Sequence, residues 1–163
     1  MKLAEVRALR LAGKHAEHLV AATELVGDAP ASSDAQLEAA YAHDTAGRER
    51  LAIRHYEEAY RLGVAPAELQ NFLVGFGSTL RNVGRADEAV AVFAQAIADH
   101  PDYLPFHAFL ALALFSAGHP REALAAMLGC ALEAARPDAF GRYGRALGEY
   151  HRELLGELVP PEH

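Results

Sequence analysis

The sequence predicts an all-α fold in which helical hairpins are repeated along the chain to form a solenoid. One residue pattern occurs twice at an interval of 34 residues, since Gly84 and Gly118 are followed at equal distances by Ala89 and Ala123. Composition agrees, because alanine makes up about a fifth of the 163 residues and Trp is absent. Alanine favours helices, whereas β-branched and aromatic residues favour strands.

The repeated slots hold residues of fixed size. Phe93 and Met127 share a slot for a large residue, and Ala96 and Cys130 share a slot for a small one. Small residues allow helices to approach closely, and large residues fill the space beside them. The expected small contacts are Gly77, Ala89, Ala96, Ala111 and Ala123, and the expected large ones are Leu73, Phe93, Leu110 and Met127.

The same template extends towards the N-terminus. Its glycine slot is filled by Gly47 and, in a degenerate form, by Gly13. The first hairpin is therefore predicted over about 3–12 and 15–27. The second begins at Ser33, where Ser33 and Gln36 are predicted to form a capping box.

The third hairpin is expected to have a longer first helix. Gly47 and Gly84 are 37 residues apart, so three residues are extra. Gly63 can end one helix in a left-handed conformation, and Pro66 can open the next about one turn early. The fourth hairpin starts after Pro101 and turns at Gly118.

A ninth helix is predicted to cover the end of the stack. The repeat pattern stops after Pro137, and Asp138 can cap a helix to about Leu158. Its apolar stripe is Phe140, Tyr143, Leu147, Tyr150, Leu154 and Leu158. The prediction is a single domain over 1–158, with repeats at 1–32, 33–66, 67–103 and 104–137, a capping helix at 138–158 and a tail at 159–163.

Charge and composition exclude several classes of function. A formal charge of −7 and the lack of a basic patch argue against nucleic-acid binding. The N-terminus is not a signal peptide and no apolar run is long enough for a membrane helix, so we expect a cytoplasmic protein. Cys130 is expected to be a packed thiol, with a catalytic cysteine as the weaker alternative.

The sequence predicts no metal, cofactor or catalytic site. His15 and His18 share a helical face but lack a third ligand, so solvated histidines are the preferred interpretation. The stretch from Gly75 to Leu80 lacks the preceding strand and third glycine of a dinucleotide-binding loop. No constellation of reactive side chains suggests an enzyme.

The stretch from Leu73 to Met127, with LRNVGR at 80–85 and FLALAL at 109–114, resembles the tetratricopeptide repeat family and within it the bacterial tetratricopeptide repeat group 5. The resemblance implies a right-handed superhelix of four hairpins and a capping helix. It also implies a non-catalytic adaptor that binds a protein or peptide in a concave groove lined by first helices.

The positions that match the family's carboxylate clamp do not carry its basic and amide residues. They hold Leu3 and Arg7, Leu37 and Tyr41, Val74 and Ser78, and Ala108 and Leu112. The groove is instead predicted to suit an amphipathic helix or mixed peptide, with Leu112 and Phe115 alternatively packing against the next helix. The candidate groove residues are Arg7, Arg10, Tyr41, Asp44, Asn71, Ser78, Arg81, Leu112 and Phe115.

Two further segments are candidate contacts. The aromatic segment from Tyr103 to Phe109 is either the packed start of a helix or an interface anchor. Gly141, Gly144 and Gly148 share the face of the last helix opposite its apolar stripe. They predict either a homodimer contact or glycines tolerated in a terminal helix, and a self-associating structural protein is the alternative to the adaptor.

Overall fold

The computed structural model describes residues 2–156, which form α-helices, one short 3₁₀ helix and no strand. The all-α prediction is therefore confirmed. The α-helices are α1 (Leu3–Leu11), α2 (His15–Asp28), α3 (Ser33–Thr45), α4 (Glu49–Leu62), α5 (Leu69–Asn82), α6 (Ala86–Asp99), α7 (Leu104–Ser116), α8 (Pro120–Ala134) and α9 (Gly144–Leu155), and the 3₁₀ helix is Gly141–Tyr143. The predicted positions of Leu158 and the tail lie outside the described residues.

The chain divides into two compact units. Unit 1 is Met1–Arg85 and contains α1 to α5, while unit 2 is Ala86–His163 and contains α6 to α9. In unit 1 each helix packs against the next, and α3 also contacts both α1 and α5. In unit 2 the helices α6, α7, α8 and α9 likewise pack in succession.

The four template glycines end the first helices as the sequence predicts. Each has a positive φ, between 67° and 87°. The residue after each glycine donates its backbone N–H to the carbonyl five residues earlier, at 2.9 to 3.0 Å. This is the Schellman arrangement, in which glycine takes the left-handed position. The pairs are Lys14 to Leu9, Arg48 to His43, Arg85 to Leu80, and His119 to Leu114.

The predicted capping box at the start of α3 is wrong by one residue. The helix begins at Ser33, but the cap is Ser32, whose hydroxyl accepts a hydrogen bond from the backbone of Ala35 at 3.3 Å. The Ser33 hydroxyl instead donates to the Ala59 carbonyl, and the Gln36 amide donates to Pro30. Both side chains therefore tie α3 to other segments.

The prediction of a longer helix from Pro66 is also wrong. Residues 66–68 form a turn in which Glu68 and Leu69 donate to the carbonyls of Ala65 and Pro66. The α5 helix then has 14 residues, against 13 in α3. The extra residues thus lengthen the connection, which Gly63 opens with a positive φ of 93°.

Asp138 does not cap the last helix. It has a φ of 63°, and Gly141 has a φ of 52°, so neither can belong to a continuous helix. The chain passes through a turn and the 3₁₀ helix before α9 starts at Gly144. The ninth helix therefore begins at Gly144, several residues later than the predicted start at Asp138.

The predicted small contacts are buried, whereas three of the four predicted large ones are not. Gly77, Ala89, Ala96, Ala111 and Ala123 are all buried. Phe93 is buried against Phe109 of α7. By contrast, Leu73 and Leu110 are only partly buried, and Met127 is 39% exposed.

Candidate functional site

The first helices of unit 1 pack side by side, because α1 contacts α3 and α3 contacts α5. We call the surface of these three helices the first-helix face of unit 1. Seven of the nine predicted groove residues lie on these helices, namely Arg7, Arg10, Tyr41, Asp44, Asn71, Ser78 and Arg81.

A buried carboxylate organises the start of this face. Glu38 of α3 has no exposed surface and accepts hydrogen bonds from Arg7 at 3.3 Å and from Arg10 at 3.0 and 3.1 Å. The same carboxylate lies 3.0 Å from Nε2 of His18, which is 1% exposed. The interpretation of His18 as solvated is therefore wrong.

Glu38 also stabilises the charged form of Arg10. Burial alone would lower the pKa of Arg10, but the hydrogen bond and negative charge of Glu38 raise it above its ordinary value. Arginine is a cation in proteins in any case, so the pairing fixes the position of Arg10 more than its charge. Its guanidinium lies 4.8 Å from the centre of the Tyr41 ring, so the cation covers the aromatic face.

Some buried side-chain atoms of α3 and α5 have no hydrogen-bond partner in the described part of the chain. Among them are the hydroxyl oxygen of Tyr41 and Nε of Arg81, which are themselves shielded from solvent although both residues are partly exposed overall. Burial raises the pKa of Tyr41, so the phenol stays protonated and can donate. Arg81 uses another nitrogen to reach Asn82 at 3.1 Å.

Other predicted groove residues are engaged inside unit 1. The Asp44 carboxylate accepts a hydrogen bond from Tyr56 at 3.2 Å, and burial raises the pKa of Asp44. The Ser78 hydroxyl donates to the Val74 carbonyl of its own helix at 2.7 Å. Asn71 is exposed.

The two apolar residues predicted for the groove lie in unit 2. On α7, Leu112 is 41% exposed and Phe115 is 70% exposed. This exposure contradicts the alternative that Phe115 simply packs against a neighbouring helix. The nine predicted residues are thus divided between the two units.

A depression that the sequence did not predict lies within unit 2. This unit 2 groove has a volume of about 970 Å³ and runs between α7, α8 and α9. Leucines of α7 and α9 form its walls, and small residues of α8 form its floor. Cys130 belongs to this floor and is partly exposed, so it is not the fully packed thiol that was expected.

The aromatic segment before α7 forms the packed start of that helix. Phe106 is fully buried, and the Tyr103 ring meets it edge-on with centroids 4.7 Å apart. Phe109 stacks on Phe93 at 5.9 Å. These contacts support the structural interpretation of the segment.

The three C-terminal glycines do not share one helical face. Gly141 lies in the 3₁₀ helix, Gly144 begins α9, and only Gly148 lies inside it. Close helix approach occurs at other glycines. A Cβ atom on Gly129 would lie 2.7 Å from His151, and one on Gly75 would overlap the Tyr56 hydroxyl.

Residues 2–156 contain no helix long and apolar enough to cross a membrane. In the same range no group of three or more His, Cys, Asp or Glu side chains is arranged to hold a metal ion.

The consecutive hairpins define a helical-repeat protein. A family model described as tetratrico peptide repeat matches residues 33–154, about three quarters of the chain. The chain therefore belongs to the tetratricopeptide repeat family, and the resemblance to its group 5 is confirmed. This family consists of protein–protein interaction modules that are generally non-catalytic. No curated protein matches the chain.

Proposed function

We propose that the protein is a non-catalytic adaptor that binds a peptide or partner helix on the first-helix face of unit 1. The observation that carries this proposal is the set of partly exposed polar and cationic side chains on α1, α3 and α5, in which the Arg10 guanidinium lies 4.8 Å from the centre of the Tyr41 ring. Tyr and Arg are frequent anchors of protein–protein interfaces, so these side chains favour a partner segment on this face.

The surface lacks the chemistry of a carboxylate clamp. Arg7 and Arg10 are already paired with Glu38, and Arg7 also contacts Asp34 at 2.9 Å. A free carboxylate would have to displace these acidic groups. A segment that presents neutral hydrogen-bonding groups fits better than an acidic chain end.

The test is a comparison of partner capture from native extract by the parent and by a Tyr41→Phe/Arg81→Gln variant. We expect a specific partner to be lost, and the purified partner should bind the variant at least about tenfold more weakly. The matched control is Tyr60→Phe/Arg50→Gln, which makes the same changes on exposed residues of α4. Equal capture by both variants would contradict the proposal.

A second candidate function is self-association through α9. The observation that favours it is the exposure of the predicted apolar stripe, since Tyr143 and Tyr150 are 60% and 58% exposed. Light scattering on the parent protein distinguishes the candidates. A monomer supports the adaptor, whereas a stable dimer supports self-association.

A further inference from the structure

The unit 2 groove is a face of the α7–α8 hairpin that no other described helix of unit 2 fully covers. In unit 1, α3 packs on both α1 and α2, and α5 packs on both α3 and α4. Each following first helix thus covers both helices of the hairpin before it. In unit 2, α9 packs on α8, but no Cα atom of α9 lies within 8 Å of α7 in residues 2–156.

Specific contacts hold α9 on the α8 side. The Arg121 guanidinium donates hydrogen bonds to the carbonyls of Glu153 and Leu154 at 2.9 and 3.2 Å. These carbonyls belong to the last turn of α9, where helix carbonyls need partners and a cation is favourable. Gly129 lets His151 approach closely, so the opening beside α7 results from the way α9 is attached.

The partly exposed lining has the chemistry of a helix-binding site. Leu110 and Leu114 are four residues apart on α7, so they form an apolar stripe along one wall. Leu154 lies on the opposite wall. The side chains of Ala126 and Cys130 are small, so the space between the walls can accept the apolar side chains of another helix.

Charge indicates which kind of helix would bind. Unit 1 has 10 basic and 11 acidic residues, whereas unit 2 has 5 basic and 11 acidic residues, so unit 2 carries a formal charge of −6 out of −7. Asp102, Glu122 and Glu133 lie at the groove. The one Arg that lines it, Arg121, is already bonded to α9.

The same charges disfavour two other occupants. Residues 157–163 contain two glutamates and no Lys or Arg, so this segment would add negative charge. The helices of unit 2 in a second copy would do the same. The acidic residues at the groove attract a basic partner, whereas they repel these two acidic segments.

We propose that the unit 2 groove binds a basic amphipathic helix, with its apolar side chains against the leucines of α7 and α9 and its Lys or Arg residues near the acidic rim. This site is additional to the proposed function, because it shares no residue with the first-helix face of unit 1. Helix-in-groove recognition of this kind combines apolar anchors with peripheral charges.

The experiment measures binding of three labelled peptides to the full chain by fluorescence anisotropy. The first is an amphipathic helix made of Leu and Lys, the second has the same composition in scrambled order, and the third replaces Lys with Glu. We expect the first peptide to bind at least about tenfold more tightly than the others, with affinity falling as salt rises. Equal binding of the scrambled or acidic peptide would overturn the proposal.

Variants locate the binding within the molecule. The variant Glu122→Gln/Glu133→Gln should bind the Leu–Lys peptide about fivefold to tenfold more weakly than the parent. The control Glu17→Gln/Glu24→Gln removes the same charge from α2 of unit 1 and should leave the affinity unchanged. Ala126→Phe should fill the groove and abolish binding, while Leu124→Phe changes α8 outside the groove and should not.

If Ala126→Phe fails to fold, the two charge variants still decide the outcome, and equal affinity for both overturns the proposal. A dimer of the parent that Ala126→Phe dissociates would assign the groove to a second copy and also overturn it. The Tyr41→Phe/Arg81→Gln variant should bind the Leu–Lys peptide like the parent, so the two proposals can fail separately.

Discussion

Glu38 lies in the centre of α3 with no exposed surface, next to Leu37 and Ala39, which are also buried. An isolated carboxylate in such a place would be strongly unfavourable. Here Arg7, Arg10 and His18 supply hydrogen bonds from α1 and α2. Glu38 therefore links three helices, and those three partners make its burial possible.

Glu38→Gln is expected to destabilise the protein by about 3 kcal/mol. The substitution preserves the shape of the side chain but removes its charge and one acceptor, so Arg7 and Arg10 lose their shared counter-ion. Urea denaturation at neutral pH measures the change. The exposed Glu24→Gln on α2 is the control and should remain within about 0.5 kcal/mol of the parent. A similarly small effect of Glu38→Gln would show that the network contributes little.

The Glu38 network explains why the first repeat departs from the template. His18 occupies the slot that alanine fills as Ala52, Ala89 and Ala123 in the later repeats. From the sequence alone, the repeat at Gly13 is a degenerate copy of the template. The physical reason is that His18 reaches Glu38 from α2, and an acidic residue in an alanine-rich helix was the signal that could have predicted the pair.

At the scale of helices, only some of the helical glycines are needed for close packing. Gly75 and Gly129 lie inside α5 and α8, where a neighbouring side chain occupies the space of the missing Cβ atom. Gly148 also lies inside a helix, but nothing lies within 4 Å of its missing Cβ. The same substitution should therefore have opposite effects at Gly75 and Gly148.

Gly75→Ala is expected to destabilise the protein by about 1–3 kcal/mol because its methyl group overlaps the hydroxyl of the buried Tyr56. Gly148→Ala is the matched control and should stabilise α9 by up to about 1 kcal/mol, since alanine is the better helix former. Thermal and urea unfolding followed by circular dichroism measure both. A neutral Gly75→Ala would mean that Tyr56 moves aside without cost.

The sequence predicted helices and their turns better than it predicted the connections between repeats. Gly47, Gly84 and Gly118 each end a helix as expected, because a left-handed backbone strongly favours glycine. Pro66 and Asp138 were misassigned, since proline and aspartate fit turns as well as helix starts. Only tertiary contacts, such as those of Arg121 with α9, decide where such a helix begins and what it covers.

The predicted groove residues had a mixed outcome for the same reason. Repeat spacing located Tyr41 and Arg81 on first helices, but it could not show that Asp44 turns inward to Tyr56. The unit 2 groove was missed altogether. Its existence depends on α9 packing on α8 and not on α7, and the apolar stripe of α9 did not specify this choice.

Across the whole molecule, charge and apolar exposure are unevenly distributed. Unit 2 carries most of the negative charge and eight of the twelve exposed large hydrophobic residues in the described part of the chain. Unit 1 is nearly neutral and pairs its charges internally. This difference favours two surfaces with distinct partners over one uniform binding surface.

One contribution to the pH dependence of stability lies in unit 1. In unit 1 the rings of His43 and His55 stack in parallel with centroids 5.3 Å apart. Burial lowers the pKa of both, and nearby Arg48 lowers the pKa of His43 further. The Gln36 amide donates to Pro30, so its oxygen accepts the proton on Nδ1 of His55 at 2.7 Å.

Acidification should therefore destabilise the protein through this pair. Below the ordinary histidine pKa of 6.5 the unfolded chain binds protons that the folded stack resists, so stability present at higher pH is lost as pH falls towards the lowered pKa values. His43→Phe keeps an aromatic stack but removes one titrating ring, and its urea midpoint should fall less than the parent's between pH 7 and about pH 5. His15→Phe, at an exposed position of α2, is the control and should keep the parent's pH dependence. Parallel curves for the parent and His43→Phe would show that the stack does not resist protonation.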